Sequence, residues 1–90
     1  MYFSSNEDLY QYLLYLISIL NERDRRDLSE KIKFASAQAA SSATEFLGES
    51  RIALKEVLLN ASSVLNEKEK IDLASALAQI GNALERHGRS

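Results

Sequence analysis

The sequence predicts an all-α fold, a small antiparallel bundle of four helices made of two αα-hairpins of about 45 residues each. Three observations carry that reading. Proline is absent and glycine occurs three times in 90 residues, too little turn chemistry for a β fold of this size. Alanine, leucine, glutamate, lysine and serine dominate, and apolar residues recur at helical spacing. One stretch of the chain also occurs twice, at an offset of 45 residues.

The repeat places Leu13-Leu14-Tyr15-Leu16-Ile17-Ser18-Ile19-Leu20-Asn21-Glu22 against Leu58-Leu59-Asn60-Ala61-Ser62-Ser63-Val64-Leu65-Asn66-Glu67. It continues from Arg23-Asp24-Arg25-Arg26-Asp27-Leu28 to Lys68-Glu69-Lys70-Ile71-Asp72-Leu73, where Arg/Lys and Asp/Glu exchanges keep the charge. Asn21 and Asn66 each stand where an N-cap belongs, followed three residues on by Asp24 and Glu69. Each copy therefore reads as helix, tight turn, helix, with 1–45 and 46–90 as the two hairpins of a single domain.

The first helix is expected from about Ser5 to Ser18, opened by a capping box of Ser4 and Glu7. The second runs from about Glu22 to Ala40 with Leu28, Ile32, Ala35 and Ala39 on one stripe. The third spans about Ala43 to Asn60, with Leu47, Leu54 and Leu58 along one face. The fourth runs from about Glu67 to His87, where Leu73, Leu77, Ile80 and Leu84 form the clearest stripe. Gly88 suits a C-terminal cap, and Arg86 and His87 suit the negative end of the helix dipole. Between the second and third helices, Ala35 to Thr44 contains no breaker. Ser42 with Glu45 offers a cap that starts a new helix and gives a bundle. A continuous helix would splay the hairpins and favour an intertwined dimer. The bundle is the expected outcome.

Composition excludes several chemistries. Thirteen acids against eleven bases leave a net charge of -2, and the halves differ little, so no strong field points to nucleic acid or an anionic membrane. Without cysteine there is neither disulfide nor thiolate metal site. Glu7 and Asp8 and the lack of a basic leader argue against a signal peptide. The apolar run Leu9–Leu20 is too short to span a bilayer. A soluble, cytoplasmic protein is expected.

An enzyme is not expected, and no catalytic, cofactor-binding or metal-binding residues are assigned. His87 is the only histidine and sits at a helix end. Neither a dinucleotide-binding nor a phosphate-loop glycine pattern occurs, and no Glu-x-x-His pair exists for a di-metal bundle. Glu22 and Glu67 read as first-turn capping charges. Arg23, Arg25 and Arg26 form the densest basic run, but Glu22, Asp24 and Asp27 interleave with them as on a solvated face.

One surface is singled out by comparing the repeats. Phe3, Tyr10 and Ile17 are seven apart, where the second copy carries Gly48, Lys55 and Ser62. With Tyr2, Tyr12 and Tyr15, five of the seven aromatics fall in the first 15 residues. This face either packs within its own bundle or docks another chain, a second copy or a different protein; Ile52 and Leu59 keep some apolar character on the third helix. Phe3, Tyr10, Tyr15 and Ile17 are the expected partner-binding residues. The expected function is a non-catalytic protein-interaction module of adaptor, inhibitor or immunity type. The alternative is a small DNA-binding or antitoxin-like regulator using Arg23, Arg25 and Arg26.

Overall fold

The computed structural model describes residues 3–87, the last of them by its backbone alone. Four helices and one short 3-10 turn make up the described chain, with no strand among the described residues: α1 (Asn6–Glu22), α2 (Arg26–Ala37), the 3-10 turn (Gln38–Ala40), α3 (Ala43–Asn60) and α4 (Glu67–His87). Tyr2 and the expected cap Gly88 lie outside the described residues.

Helix α1 begins one residue later than its expected box. Ser5, in extended backbone, is the cap and its hydroxyl accepts from the Asp8 amide. The Asp8 carboxylate reaches back to the Ser4 amide at 2.8 Å and its hydroxyl at 2.6 Å. These bonds hold the Asp8 carboxyl below the ordinary aspartate value. The acid that closes the box is thus Asp8 rather than Glu7.

The end of α1 corrects a second expectation. Asn21 does not cap α2; it lies inside α1, which runs on to Glu22 because Ile19 and Leu20 both bury into the core. The chain then reverses through Asp24, whose φ of 62° is left-handed. The Arg25 amide donates to the Leu20 carbonyl at 2.7 Å and the Asp24 amide to the Asn21 carbonyl at 3.2 Å, the two bonds of a Schellman ending. Arg25 stands at the cap position of α2 without a side-chain cap bond, and α2 therefore starts four residues later than Glu22. The Asn21 side chain serves elsewhere: its Oδ1 accepts from the buried Ser29 hydroxyl at 2.6 Å, tying α1 to α2.

Helix α2 ends at Ala37, the 3-10 turn follows, and Ser42 caps α3 by accepting from the Glu45 amide at 3.1 Å. The helix is broken as the cap predicted, and Ala39 leaves the apolar stripe to become exposed. At α4, Asn66 and Glu69 form a reciprocal box: the Glu69 amide donates to Asn66 Oδ1 at 2.8 Å, and the Asn66 amide to Glu69 Oε1 at 2.9 Å. The two hairpins thus share a leucine stripe but not a turn. The first turn is Arg23 to Arg25, the second runs from Ala61 to Asn66, and a duplication is not shown by the structure.

Consecutive helices pack side by side, as in a bundle of hairpins. The Phe3 amide meets Gln79 Oε1 at 2.7 Å and Arg23 meets Glu69, so the start of α1 lies beside the later half of α4 and its end beside the start of α4. The bundle closes antiparallel. One apolar core fills it, with Leu9, Leu13, Leu16 and Leu20 of α1 against Leu28 and Ile32 of α2, Phe46, Leu54 and Val57 of α3, and Leu73 and Ile80 of α4. Burying each such side chain contributes about 1.5–3 kcal/mol, which offsets the conformational entropy lost on ordering the chain. No described helix is long and apolar enough to cross a membrane.

Candidate protein-binding surface

Helix geometry separates the four residues expected on one surface. Phe3 precedes α1, so it does not continue the line of Tyr10 and Ile17; its ring instead stands 5.7 Å from Tyr12, near Gln79 and Ala83 of α4. Tyr12 is buried, and its ring lies 6.4 Å from Tyr15. Burial, and the nearby Asp72, push the Tyr12 hydroxyl far above the ordinary tyrosine value, so it stays protonated. Tyr15 itself is 54% exposed. Phe3, Tyr12 and Tyr15 thus form an aromatic row on the α4 side of α1.

Tyr10 and Ile17 face the other way. They line a shallow groove between α1 and α2 together with Leu14, Ser29, Lys33 and Ser36, and both are half-buried against the core. The structure therefore brings Tyr10 together with Ile17, and Phe3 with Tyr15 through Tyr12, on opposite flanks of one helix. Much of this apolar width is consumed inside the bundle.

The basic run has structural work at the opposite end of α1. The Arg23 guanidinium donates to the Val64 carbonyl at 2.7 Å and to both oxygens of Glu69 at 2.6 and 2.9 Å. Arg25 donates to the Asn60 carbonyl at the end of α3 at 2.8 Å and pairs with Asp27. Both arginines join the first turn to the second, and each cation sits where unpaired carbonyls end a helix or turn. Arg26 is exposed and makes no ion pair among the described residues. A phosphate-binding surface needs cations free of partners; two of these three are engaged with carbonyls and carboxylates of the chain itself.

The more exposed apolar side chains lie elsewhere. Phe34 is 59% exposed on α2, Ile52 and Leu59 are 57% and 78% exposed on α3, and Ile71 is 66% exposed on α4. Phe34 stands two residues past Ile32 and Ile71 two before Leu73, about 200° around the helix from buried positions. Ile52 and Leu59 are seven apart on one line pointing away from the core. Of these, Ile52 and Leu59 belong to the apolar character expected on the third helix, whereas Phe34 and Ile71 carry no sequence expectation. The available signal was that each is a large apolar residue off its helix's stripe.

Phe34 and Ile52 flank a second groove, between α2 and α3, with Ala53 at its floor. Lys31 and Glu56 form an ion pair across it. Phe34 is one turn beyond Lys31 and Ile52 one turn before Glu56, so in antiparallel helices the two apolar side chains stand opposite each other. Asp27, Glu30 and Glu49 complete its rim.

Among the described residues no group of three His, Cys, Asp or Glu side chains is placed to hold a metal ion. No family model, curated protein or solved structure matches the chain.

Proposed function

We propose that this chain is a non-catalytic protein-interaction module that acts through the outer, apolar faces of its helices. One observation carries the reading: five large apolar side chains, Tyr15, Phe34, Ile52, Leu59 and Ile71, each stand more than half exposed on a chain that fills its core without them. Single exposed hydrophobics are ordinary on any surface. Here Phe34 and Ile52 border one groove across two helices, and tyrosine, phenylalanine and isoleucine supply the buried area that an interface needs.

The test is affinity capture from a lysate of the source cell, comparing the native chain with one in which Tyr15, Phe34, Ile52, Leu59 and Ile71 are all serine. Because these side chains lie outside the core, circular dichroism should show the variant folded. A protein retained by the native chain at low and high salt and lost from the variant supports the module. Retention unchanged in the variant, or no protein retained by a chain that is monomeric at every concentration in light scattering, overturns it. Salt-sensitive retention of nucleic acid would instead support a regulator built on the arginine run.

A further inference from the structure

The α2/α3 groove differs from the other apolar surfaces of the molecule in the charge around it. Its lining carries four carboxylates, Asp27, Glu30, Glu49 and Glu56, against the single ammonium of Lys31, a net charge of -3. The Lys31 charge is spent on Glu56. Asp27 is held by Arg25 at one end. Glu30 and Glu49 make no ion pair among the described residues, and they stand on α2 and α3, on opposite sides of Phe34 and Ile52. By contrast the α1/α2 groove, lined by Tyr10, Leu14 and Ile17, carries one carboxylate, Glu30, and one ammonium, Lys33, and is balanced.

We propose that the α2/α3 groove receives a basic amphipathic helix of another protein, with apolar anchors seated between Phe34 and Ile52 and flanking lysines or arginines facing Glu30 and Glu49. This rests on the reading of the chain as an interaction module and names the surface and the partner chemistry for it. The groove runs about two helical turns, from Asp27 to Phe34 on one wall and from Glu49 to Glu56 on the other, the length over which i, i+4 and i+7 anchors of a docked helix engage. The charge selects the occupant. A second copy of this chain, docked through the same groove about a two-fold axis, would bring acidic rim against acidic rim, and like charges across an interface oppose association. A cationic helix meets complementary charge on both walls and an apolar floor between them. Carboxylates at the rim also act on encounter, raising the association rate of a basic partner while the apolar pair holds it.

The probe is a synthetic helical peptide with a leucine stripe at i, i+3, i+4 and i+7 and lysine at the remaining positions, alongside the same stripe with glutamate. Titration is followed by amide chemical shifts of the labelled chain and by fluorescence anisotropy of the peptide. The leucine–lysine peptide is expected to shift amides of 27–34 and 49–56, and to bind at least about ten-fold more weakly to Phe34→Ala with Ile52→Ala. Glu30→Gln with Glu49→Gln is expected to weaken binding and to flatten its dependence on salt. The leucine–glutamate peptide is expected not to bind. All four positions lie outside the core, and an unchanged melting temperature in the variants makes any loss attributable to the surface.

Diffuse shifts, binding indifferent to Phe34 and Ile52, equal binding of the glutamate peptide, or no binding of either overturns the groove assignment. Shifts confined to Tyr10, Tyr15 and Ile17 would overturn it while leaving the interaction module standing on α1. Binding at α2/α3 by a concentration-dependent dimer alone, seen in light scattering without peptide, would replace the basic helix with a second copy.

Discussion

The Arg23 guanidinium pairs with the Glu69 carboxylate through two bonds, one nitrogen to each oxygen, and the same carboxylate closes the cap of α4 through the Asn66 amide. One acid therefore serves a helix start and an ion pair between hairpins. First Arg23, then the Asn66 amide, hold the Glu69 carboxyl below its ordinary value of 4.5. A lowered folded value means that the unfolded chain takes up the proton first. The stabilisation is thus complete above about pH 4.5 and is lost as pH falls through the folded value. Thermal melts across pH 2 to 7, on the order of the carboxylate range, should show a decline below that point that is shallower in Glu69→Gln. Asn66→Ala, which removes the acceptor for the Glu69 amide, should cost about 1 kcal/mol at neutral pH.

Asp24 holds a left-handed conformation to complete the Schellman turn. A side chain there costs free energy that glycine does not. Asp24→Gly should therefore raise stability by up to about 1 kcal/mol, read as a higher denaturation midpoint with an unchanged slope. A fall in midpoint would show that Asp24 contributes a bond the backbone conformation does not require.

Ser50 is fully buried on α3, and among the described residues its hydroxyl oxygen finds no partner. An unsatisfied buried hydroxyl carries its desolvation cost with nothing to offset it. Ser50→Ala should be neutral or stabilising by about 1 kcal/mol in chemical denaturation. Leu54→Ala, one turn on in the same core, should cost about 2–5 kcal/mol. Two changes of side chain on one helix face are thus expected to act in opposite directions.

Tyr10 and Ile17 are packed against the core rather than standing free. Replacing them with the residues at the matching positions of the second copy, Tyr10→Lys with Ile17→Ser, should cost about 2–4 kcal/mol and lower the melting temperature. A variant that melts with the native chain would return these two side chains to the surface.

These cases show what the letters carried and what they did not. The third and fourth helices were legible in the sequence, Ala43–Asn60 and Glu67–His87, because Ser42 and Asn66 each have an acid three positions on and each stands in a segment that has already left the preceding helix, at Ala37 and at Asn60. Asn21 has the same local signature and failed as a cap. The second copy has a matching apolar pair, Val64 and Leu65, but it carries Asn60, Ala61 and Ser62 where α1 carries Tyr15, Leu16 and Ile17. Helix α3 ends at Asn60, while α1 runs on with Leu16, Ile19 and Leu20 in the core. Tertiary burial outweighed a capping preference of about 1 kcal/mol. The line through Phe3, Tyr10 and Ile17 breaks at its start, because a seven-residue spacing joins Phe3 to Tyr10 only if both are helical, and α1 starts after Phe3. Phe34 lies off the stripe of α2, two residues past buried Ile32, so the periodicity that marks the core does not point to it. On a short bundle, the off-stripe residues are where an exposed surface is written.

The two arginines that knit the first turn to the second both act at one pole of the bundle. Arg23 and Arg25 reach Val64, Glu69 and Asn60 there, while at the other pole the Phe3 amide meets Gln79 and a short 3-10 turn links α2 to α3. Cooperative opening of such a molecule has a direction. Backbone amides near the link between α2 and α3 should exchange with solvent first, and those of the last turn of α1 and the first core turn of α4 last, so that the bundle unzips from the end opposite Arg23 and Arg25.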